Sequence, residues 1–538
     1  MRRLDQTALP LALLVLIGAI YRIGVYLLLD PIIPSDSANY VLLGRNLWSG
    51  LGYVDTLTDT GVAAMWRTPL YPFTLGLLYR LVGDAELAGC VVSFVCSLIL
   101  IPQVYYLVRL LWNEHAGVWS AALATGYVML VLSSCEVATE PLYVVLFLWF
   151  ATLVWRYVQD GAPWRLPLVA LSIGLMYLSR VEGLTYVVVA AFWVAVALRR
   201  HRAVGLGRSV AALLIAAVVL AAVMLPYVTF LRGATGRWVL SGKVTNNLWG
   251  GLTVTGVAPS LVDSLEAAHG RDNPYSITDP RHGDIIMPAL RAQPSIFLRL
   301  YLASLLNDGG AVLAKWWPLI VVVLAGWLAS GYRAGRARAG LFLVSLVVIP
   351  LLTVPLTSLS ERPLRHVTVV LVIAAGVGVE LLRVRLDRLA WPWRPSIGTV
   401  AVVAALGLVL LQSARWVRIA VVYEDRQMDV RDMGAWMREN GLEGSRVMAG
   451  KQLVPYYARC VYVPAPNLPL EEMISYARRK GVRYIVADTR YLLDRYPQTQ
   501  PLLQDQLPGS LHLRPIHEMI VPPGVRSRLL EVLPTSGN

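Results

Sequence analysis

The stretch ALPLALLVLIGAIYRIGVYLLL, residues 8–29, decides the fold class of this 538-residue chain. An α-helix rises about 1.5 Å per residue, so a run of this length crosses a hydrocarbon layer about 30 Å thick. The run is too long for the apolar region of a secretory signal, and no small-residue cleavage site follows it. We therefore predict that residues 8–29 form the first membrane-spanning helix.

The composition of the whole chain also indicates a membrane protein. Hydrophobic residues make up 56% of it and charged residues only 15%, with a mean hydropathy of +0.57. Soluble domains carry about 25% charged residues, and the deficit here is concentrated in apolar runs such as Ala211–Met224 and Val367–Val379. The net charge is +14, but the basic residues fall in short clusters between these runs. That distribution indicates membrane topology and argues against a nucleic-acid partner.

Eleven segments are apolar enough to be predicted as membrane spans. They cover residues 8–29, 86–108, 116–133, 139–155, 166–179, 183–198, 209–230, 312–330, 340–357, 366–382 and 397–414. The connecting loops alternate between an arginine-rich set and a set with few basic residues, among them Arg180, Arg362 and Arg365. Because positive loops stay inside, we predict a cytoplasmic N-terminus and an extracytoplasmic C-terminus in the inner (plasma) membrane.

The predicted fold is mainly α: a polytopic transmembrane helical bundle of about 11–13 spans with a small C-terminal extracytoplasmic α/β domain. The membrane domain covers residues 1–422, with outer loops 30–85 and 231–311, and the extracytoplasmic domain covers residues 423–538. Residues 69–82 fit an interfacial helix on the outer face. The alternative is a twelfth span, which would invert the topology of everything downstream.

The C-terminal domain has a different pattern from the membrane part. We expect helices at Val430–Asn440 and Leu470–Lys480 and short buried strands at Arg446–Ala449 and Tyr484–Ala487. The domain's four predicted elements and its size are those of an independent α/β unit. Four cysteines show no metal-ligand spacing, and a disulfide between Cys135 and Cys460 has no support in the sequence.

Ionisable side chains at the outer ends of membrane helices are costly to place near hydrocarbon, and so they mark candidate functional positions. In the first outer loop, Asp36 is either a helix N-cap or a general base held at the membrane surface. The segment WRTPLYP, residues 66–72, is either the start of an interfacial helix with aromatic residues at headgroup depth or part of the same site.

Three further outer positions carry charge. In CEVATEPLY, residues 135–143, Glu140 is either a first-turn acid favoured by the helix dipole or a functional carboxylate. Arg180 and Glu182 occupy a very short turn, as a surface ion pair or as a site. Arg362, Arg365 and His366 suit either anionic lipid headgroups or a bound phosphate, which the planar guanidinium group binds with paired hydrogen bonds.

Together these segments form an ordered set of motifs. They are Asp36-x-x-x-Tyr40, Arg67-x-Pro-Leu-Tyr71-Pro, Thr-Glu140-Pro-Leu-Tyr, Leu-x-Arg180-x-Glu182-Gly and Arg365-His366 before an apolar run. Their order resembles GT-C type membrane glycosyltransferases, in particular bacterial relatives of dolichyl-phosphate-mannose protein mannosyltransferases and of lipid A aminoarabinose transferases. The resemblance covers about residues 1–420.

The resemblance implies an integral-membrane glycosyltransferase, a hexosyl- or pentosyltransferase. It would move a sugar from a polyprenyl-phosphate donor to a glycan, lipid or protein acceptor on the extracytoplasmic face, by one inverting displacement. Asp36 would be the catalytic base or acceptor-positioning acid, and Ser37 stands where many members have another acid. Glu140, or as the alternative Glu136, would then supply the second carboxylate. The candidate ligands of the donor phosphate are Arg180, Arg362, Arg365 and His366.

The remaining candidates have acceptor-binding or structural roles in this interpretation: Tyr40, Arg67, Tyr71, Glu136 and Glu182. Either Arg362 or Arg365 can satisfy the family pattern alone. Some relatives bind a divalent metal, but the sequence assigns no metal ligands. Two other classes stay open, a lipid-linked sugar transporter or flippase and a non-catalytic envelope assembly protein; the first predicts inverted repeats, and the second predicts no requirement for Asp36.

Overall fold

The computed structural model describes the chain except residues 1–4, 34, 59–62, 202–205, 271–275, 283, 331–336, 355–361, 389–396, 426–427, 522–523 and 535–538. Its first seventeen helices are α1 (Asp5–Leu29), α2 (Ser35–Trp48), α3 (Leu70–Val82), α4 (Ala85–Leu111), α5 (Glu114–Gly126), α6 (Val128–Ser134), α7 (Glu140–Asp160), α8 (Arg165–Ser179), α9 (Tyr186–Arg200), α10 (Leu206–Thr235), α11 (Lys243–Thr255), α12 (Pro259–Leu265), α13 (Ile286–Ala292), α14 (Ser295–Ser330), α15 (Ala337–Thr353), α16 (Arg365–Leu386) and α17 (Ile397–Asp425). A 3₁₀ turn, Val181–Thr185, precedes α9.

The helices confirm a polytopic membrane protein. Within the described ranges, eight helices are long and apolar enough to cross a membrane, and α5 with α6 makes a ninth if this pair, bent by 55°, is one span. Helices α8 and α15 are apolar but shorter. Ten of the eleven segments predicted as spans lie on these helices or on the bent pair; of the segment 340–357, residues 340–353 lie on α15 and residues 355–357 are outside the described residues. Helix α3 has 13 residues, about 20 Å of helix, which is too short for a straight span.

Arg22, a charged residue inside the first span, has a structural explanation. Its buried guanidinium donates to the carbonyl oxygens of Ala124 at 3.2 Å and Thr125 at 2.9 Å. These carbonyls belong to the last turn of α5, where a helix leaves its carbonyls without partners inside the helix. A cation is also favourable at the negative end of the helix dipole. Arg22 therefore caps the break between α5 and α6.

The C-terminal region contains the helices α18 (Met428–Glu439), α19 (Leu453–Tyr457), α20 (Leu470–Arg479) and α21 (Leu492–Arg495). Its strands are β1 (Arg446–Ala449), β2 (Val461–Pro464), β3 (Tyr484–Asp488), β4 (Leu513–Val521) and β5 (Val525–Val532). The sheet order is β2-β1-β3-β5-β4, in which β2, β1 and β3 are parallel and β5 and β4 are antiparallel to their neighbours. The two predicted helices and two predicted strands are present. The strands β2, β4 and β5 were not predicted from the sequence.

The C-terminal sheet is docked onto the first outer loop. Tyr462 of β2 donates its backbone N–H to the Leu57 carbonyl at 2.7 Å, which extends the sheet edge by one bridge. Gln452 Nε2 donates to Asn39 Oδ1 at 2.7 Å. One apolar core contains Ala38 and Tyr71 from the first loop and its helices together with Met433 from α18. The four cysteines are free, and the first outer loop and the sheet are held together by packing and hydrogen bonds.

Candidate active site

A cavity of about 800 Å³ lies where the outer ends of the membrane helices meet the two outer loops. We call it the membrane-side cavity. Its charged lining residues are Asp36, Arg67, Glu140, Arg180, Glu182, Lys243 and Arg362. Six of these seven belong to the motifs singled out in the sequence, and they come from five separate parts of the chain. The fold therefore brings the predicted positions of the first outer loop and of three helix ends to one place.

Asp36 and Tyr40 hold the Arg67 side chain between them. Arg67 Nη2 lies 2.6 Å from Asp36 Oδ1, and its guanidinium carbon lies 5.3 Å from the centre of the Tyr40 ring. Asp36 and Tyr40 are four residues apart on α2, so their side chains stand one above the other on the same helix face. The spacing of the Asp-x-x-x-Tyr motif thus has a physical reason, because both residues are needed to fix one arginine. The Asp36 side chain is 47% exposed and lines the cavity.

The backbone around Arg67 is fixed by hydrogen bonds from distant elements. Tyr53 and Tyr227 each donate a hydroxyl to the Arg67 carbonyl at 3.1 Å. Thr68 Oγ1 donates to the Ser179 carbonyl at 2.6 Å, and Ser179 directly precedes Arg180. The Arg-Thr-Pro segment and the short turn after α8 are therefore joined into one rigid wall of the cavity.

A chain of ion pairs connects the remaining charges. Glu140 Oε1 lies 2.9 Å from Arg180 Nη1 and 3.2 Å from Arg362 Nε. Arg362 Nη1 reaches within 3.7 Å of Asp36 Oδ2. Glu140 is 4% exposed, so it lies behind the two arginines, whose own side chains are 10% and 30% exposed. In this arrangement Glu140 orients guanidinium groups and has little surface for a substrate.

Lys243, the first residue of α11, adds a cation that the sequence reading missed. Its Nζ lies 3.9 Å from Glu182 Oε1, and Glu182 also pairs with Arg180 at 3.4 Å. No motif surrounds Lys243 in the outer loop 231–311. The sequence feature that could have marked Lys243 as a candidate is the rarity of lysine. The chain has four lysines: Lys243, Lys315, Lys451 and Lys480.

The cluster has an excess of positive charge. Four cations (Arg67, Arg180, Lys243 and Arg362) face three carboxylates (Asp36, Glu140 and Glu182). Arg67, together with the more distant Arg362 and Lys243, holds the pKa of the Asp36 carboxyl well below its usual range, although burial opposes this shift. Burial lowers the pKa of Lys243, and Glu182 counteracts that effect. Asp36 is therefore a carboxylate at neutral pH, and the site suits an anion.

The structure places four candidate residues outside the cavity wall. Arg365 pairs with Glu136 at 3.0 Å and is 7% exposed. The His366 ring packs edge-on against Tyr143 and Phe147. Tyr71 is fully buried and donates its hydroxyl to the Gly89 carbonyl. These side chains support the elements that carry the cavity residues, and Arg362, three positions before Arg365, is the arginine of its segment that faces the cavity.

The charged groups of the cavity do not suit a divalent metal. Within the described part of the chain, no group of three or more His, Cys, Asp or Glu side chains is arranged to hold one. Each of the three cavity carboxylates is paired with arginine or lysine. A divalent ion placed between them would be repelled by the four cations of the cluster.

A second, smaller cavity lies on the other side of Asp36. It measures about 310 Å³ and is lined by the first outer loop, the second outer loop and the C-terminal sheet. We call it the domain-side cavity. Three residues line both cavities: Asp36, Arg67 and Asn246. Asp36 is therefore accessible from the membrane side and from the C-terminal domain.

Comparisons with known proteins agree with this architecture. Residues 66–229 match the family model of dolichyl-phosphate-mannose-protein mannosyltransferases, which is less than half of the chain. The crystal structure of ArnT from Cupriavidus metallidurans bound to undecaprenyl phosphate is similar over 98% of each chain, with 14% sequence identity and a TM-score of 0.57. The apo oligosaccharyltransferase of Archaeoglobus fulgidus matches 96% of this chain and 74% of its own, with 13% identity and a TM-score of 0.59.

The chain has the GT-C fold. The resemblance inferred from the five motifs is confirmed, and so is the helical bundle with a small C-terminal α/β part. The GT-C fold of the Archaeoglobus fulgidus enzyme is also seen in complex with an inhibitory peptide and a dolichol-phosphate, at 14% identity and a TM-score of 0.52. Among curated protein sequences, none matches this chain.

Proposed function

We propose that this GT-C protein is a glycosyltransferase that moves a sugar from a polyprenyl-phosphate donor to an acceptor on the extracytoplasmic face. One observation carries the proposal: Asp36 is the carboxylate shared by two cavities, one of which is rich in arginine and reaches the membrane helices. An enzyme that joins a lipid-linked donor to a separate acceptor needs two approaches to one base, and Asp36 has them.

The membrane-side cavity is the proposed donor site. Arg180, Lys243 and Arg362 would bind the phosphate, because guanidinium and ammonium groups form charge-assisted hydrogen bonds with phosphate oxygens. The apolar part of the cavity wall, including Leu184, Phe297 and Val354, would contact the first isoprene units. Undecaprenyl phosphate and dolichol-phosphate, which are bound in two structures with this fold, are the donor carriers that this proposal extends to the chain.

The reaction would be a single displacement. The acceptor hydroxyl attacks the anomeric carbon, the bond from that carbon to the phosphate oxygen breaks, and polyprenyl phosphate leaves. Asp36 accepts the hydroxyl proton. Because the reaction is one displacement, the configuration of the anomeric carbon is inverted in the product. Arg180, Lys243 and Arg362 would stabilise the negative charge that grows on the phosphate, which is usually a large contribution to catalysis.

Donor binding would also adjust Asp36 for this role. A carboxylate with a strongly lowered pKa is a weak base, and an efficient base has a pKa nearer the working pH. The shift depends first on Arg67 and then on Arg362 and Lys243. A phosphate that binds Arg362 and Lys243 would neutralise part of this positive field, and the pKa of Asp36 would rise in the donor complex. The base would then be strongest when the substrate is present.

Glu140 and Glu182 are proposed as positioning residues for this site. Glu140 contacts Arg180 and Arg362, and Glu182 contacts Arg180 and Lys243. Each carboxylate therefore links two of the cations that would meet the phosphate. The loops that build the site would face the extracytoplasmic side of the inner membrane, with the N-terminus in the cytoplasm, as the arginine-rich loops indicate.

The test is sugar transfer in membranes supplied with labelled polyprenyl-phosphate sugars. We compare the wild type, Asp36→Asn and the control Asp432→Asn, whose side chain is exposed on α18. We expect transfer by the wild type and the control and a loss of transfer in Asp36→Asn at normal protein levels. Equal transfer by Asp36→Asn would remove Asp36 as the base. Movement of the labelled lipid across the membrane without transfer, in the wild type, would favour the transporter.

A further inference from the structure

A third cavity extends the domain-side cavity across the C-terminal domain. It measures about 1040 Å³ and lies between the outer loop 231–311 and the sheet. It shares Asn246, Lys451, Tyr462 and Arg495 with the domain-side cavity. The two cavities form one continuous trough that begins at Asp36, and we call it the trough. The volume of the trough is larger than a single acceptor hydroxyl requires.

One wall of the trough is the carboxyl end of the parallel strands. Gly450 and Lys451 follow β1, Ala465 follows β2, and Arg490 follows β3 closely, and all four residues line the trough. In open sheets with parallel strands, ligands bind in the crevice outside this end. A Cβ atom on Gly450 would lie 2.7 Å from the Leu492 nitrogen, so a glycine is required there for the loops after β1 and β3 to pack together.

The trough is lined with aromatic side chains. Tyr423 of α17 is 57% exposed and Tyr491 is half-buried, whereas the rings of Trp249, Tyr462 and Tyr496 are buried and only their edges reach the trough. Aromatic rings offer an apolar face and, in tyrosine and tryptophan, a polar group at the edge. A sugar ring has the complementary arrangement, with C–H groups on its faces and hydroxyls around its rim. The exposed ring surface of Tyr423 and Tyr491 therefore suits a sugar ring.

The trough also carries positive charge that its own carboxylates do not neutralise. Among the described residues, neither Lys451 nor Arg495 forms an ion pair with a carboxylate, and both are exposed. Three carboxylates of the wall have other partners: Asp36 pairs with Arg67, Asp279 pairs with Arg281 at 2.5 Å, and Asp55 accepts from Asn39 at 2.9 Å. Asp494, next to Arg495, is exposed.

From this arrangement we infer that the trough binds an acceptor sugar chain that bears negative charge, as carboxylate or phosphate groups. Sugar rings would pack on Tyr423 and Tyr491, the anionic groups would contact Lys451 and Arg495, and the end of the chain would present a hydroxyl at Asp36. The inference rests on the proposed glycosyl transfer, because that reaction makes the bound sugar chain an acceptor. Binding of the chain to the trough requires no donor. The acceptor class is inferred from the trough and not from the membrane-side cavity.

The experiment measures binding of short sugar chains to the full-length protein in nanodiscs of neutral phosphatidylcholine, without donor. The probes are tetragalacturonate, monophosphorylated maltotetraose and neutral maltotetraose. The variant Lys451→Gln/Arg495→Gln removes the two exposed cations that line both cavities of the trough. The control variant Arg479→Gln/Arg514→Gln removes two exposed arginines of the same domain that do not line the trough.

We expect at least one anionic probe to bind the wild type and the control variant about tenfold more tightly than the neutral probe. This preference is lost in the trough variant and falls as salt is added, because exposed charges are screened. Whichever anionic probe binds identifies the carboxylate or the phosphate. Equal affinity for charged and neutral probes, no binding of any probe, or an unchanged preference in the trough variant would overturn the inference. Transfer from the labelled donor, measured separately, decides the proposed function.

Discussion

Arg67 lies with one nitrogen 2.6 Å from an oxygen of Asp36 and its guanidinium carbon 5.3 Å from the ring centre of Tyr40. The arginine is therefore the main reason that the pKa of Asp36 lies well below its usual range. Arg67 lines both the membrane-side and the domain-side cavity. Its role is to hold the carboxylate, whereas the other cations of the membrane-side cavity would contact the phosphate.

Replacing Arg67 by Gln is expected to shift the acid limb of the pH–rate profile to higher pH. Arg67 is the largest cause of the lowered pKa of Asp36, and the carboxylate is present above its pKa and lost as the pH falls through it. Without Arg67 that pKa rises, so activity fails at a pH higher by about 1–3 units. The measurement is kcat/KM against pH. An acid limb that stays in place in Arg67→Gln would contradict this coupling.

Arg180→Gln and Arg362→Gln are expected to weaken binding of undecaprenyl phosphate. A hydrogen bond to a charged group contributes about 1.5–3 kcal/mol, so each change lowers affinity by roughly ten- to a hundredfold. The matched control is Arg365→Gln, because Arg365 pairs with Glu136 and does not line the cavity. Titration of the lipid into purified protein measures each Kd. If Arg365→Gln weakened binding as much as Arg362→Gln, the assignment of these two arginines would be wrong.

Glu140→Gln is expected to weaken donor binding and leave the acid limb of the pH profile where it is. The buried carboxylate orients Arg180 and Arg362, and breaking a buried pair leaves charges without compensation at a cost of about 3–5 kcal/mol. Thermal unfolding should detect this cost, and lipid titration should detect the displaced arginines. A second base would behave differently: its loss would move the pH profile at unchanged donor affinity.

Arg22→Leu is expected to destabilise the membrane domain without changing donor affinity. The change leaves the carbonyls of Ala124 and Thr125 without their donor, and an unsatisfied buried polar group costs about 1–3 kcal/mol. Unfolding in detergent measures this loss, with Leu27→Ala as a control because that side chain is 73% exposed on the same helix. An unchanged unfolding midpoint would show that Arg22 does not cap α5.

Much of the fold followed from the sequence because membrane helices are set by local composition. In the part of the chain that the structure describes, the predicted spans lie on helices or on the bent α5–α6 pair, and Asp36 and Tyr40 share a helix face as their spacing requires. The sequence left open whether Arg362 or Arg365 faces the site. The start of α16 decides this, because Arg365 is the first residue of that helix and its side chain is 7% exposed, facing Glu136.

Other features depended on contacts between distant residues. Strand β5 contains Arg526 and Arg528, which break the apolar pattern of a central strand, and Arg528 is buried because Glu518 of β4 lies 2.8 Å from it. Lys243 had no motif and became visible as a site residue when α11 packed beside Glu182. Such pairings join positions far apart in the chain, and local patterning does not reveal them.

The most direct measurement is single-turnover sugar transfer by purified Asp36→Asn with the donor already bound. We expect undecaprenyl phosphate to bind this variant at least as tightly as it binds the wild type, because the cations of the site remain and one competing negative charge is gone. The rate of transfer should fall by about 10²–10⁴-fold, the usual contribution of a general base. Transfer at the wild-type rate, with the donor bound, would contradict the assignment of Asp36 as the base.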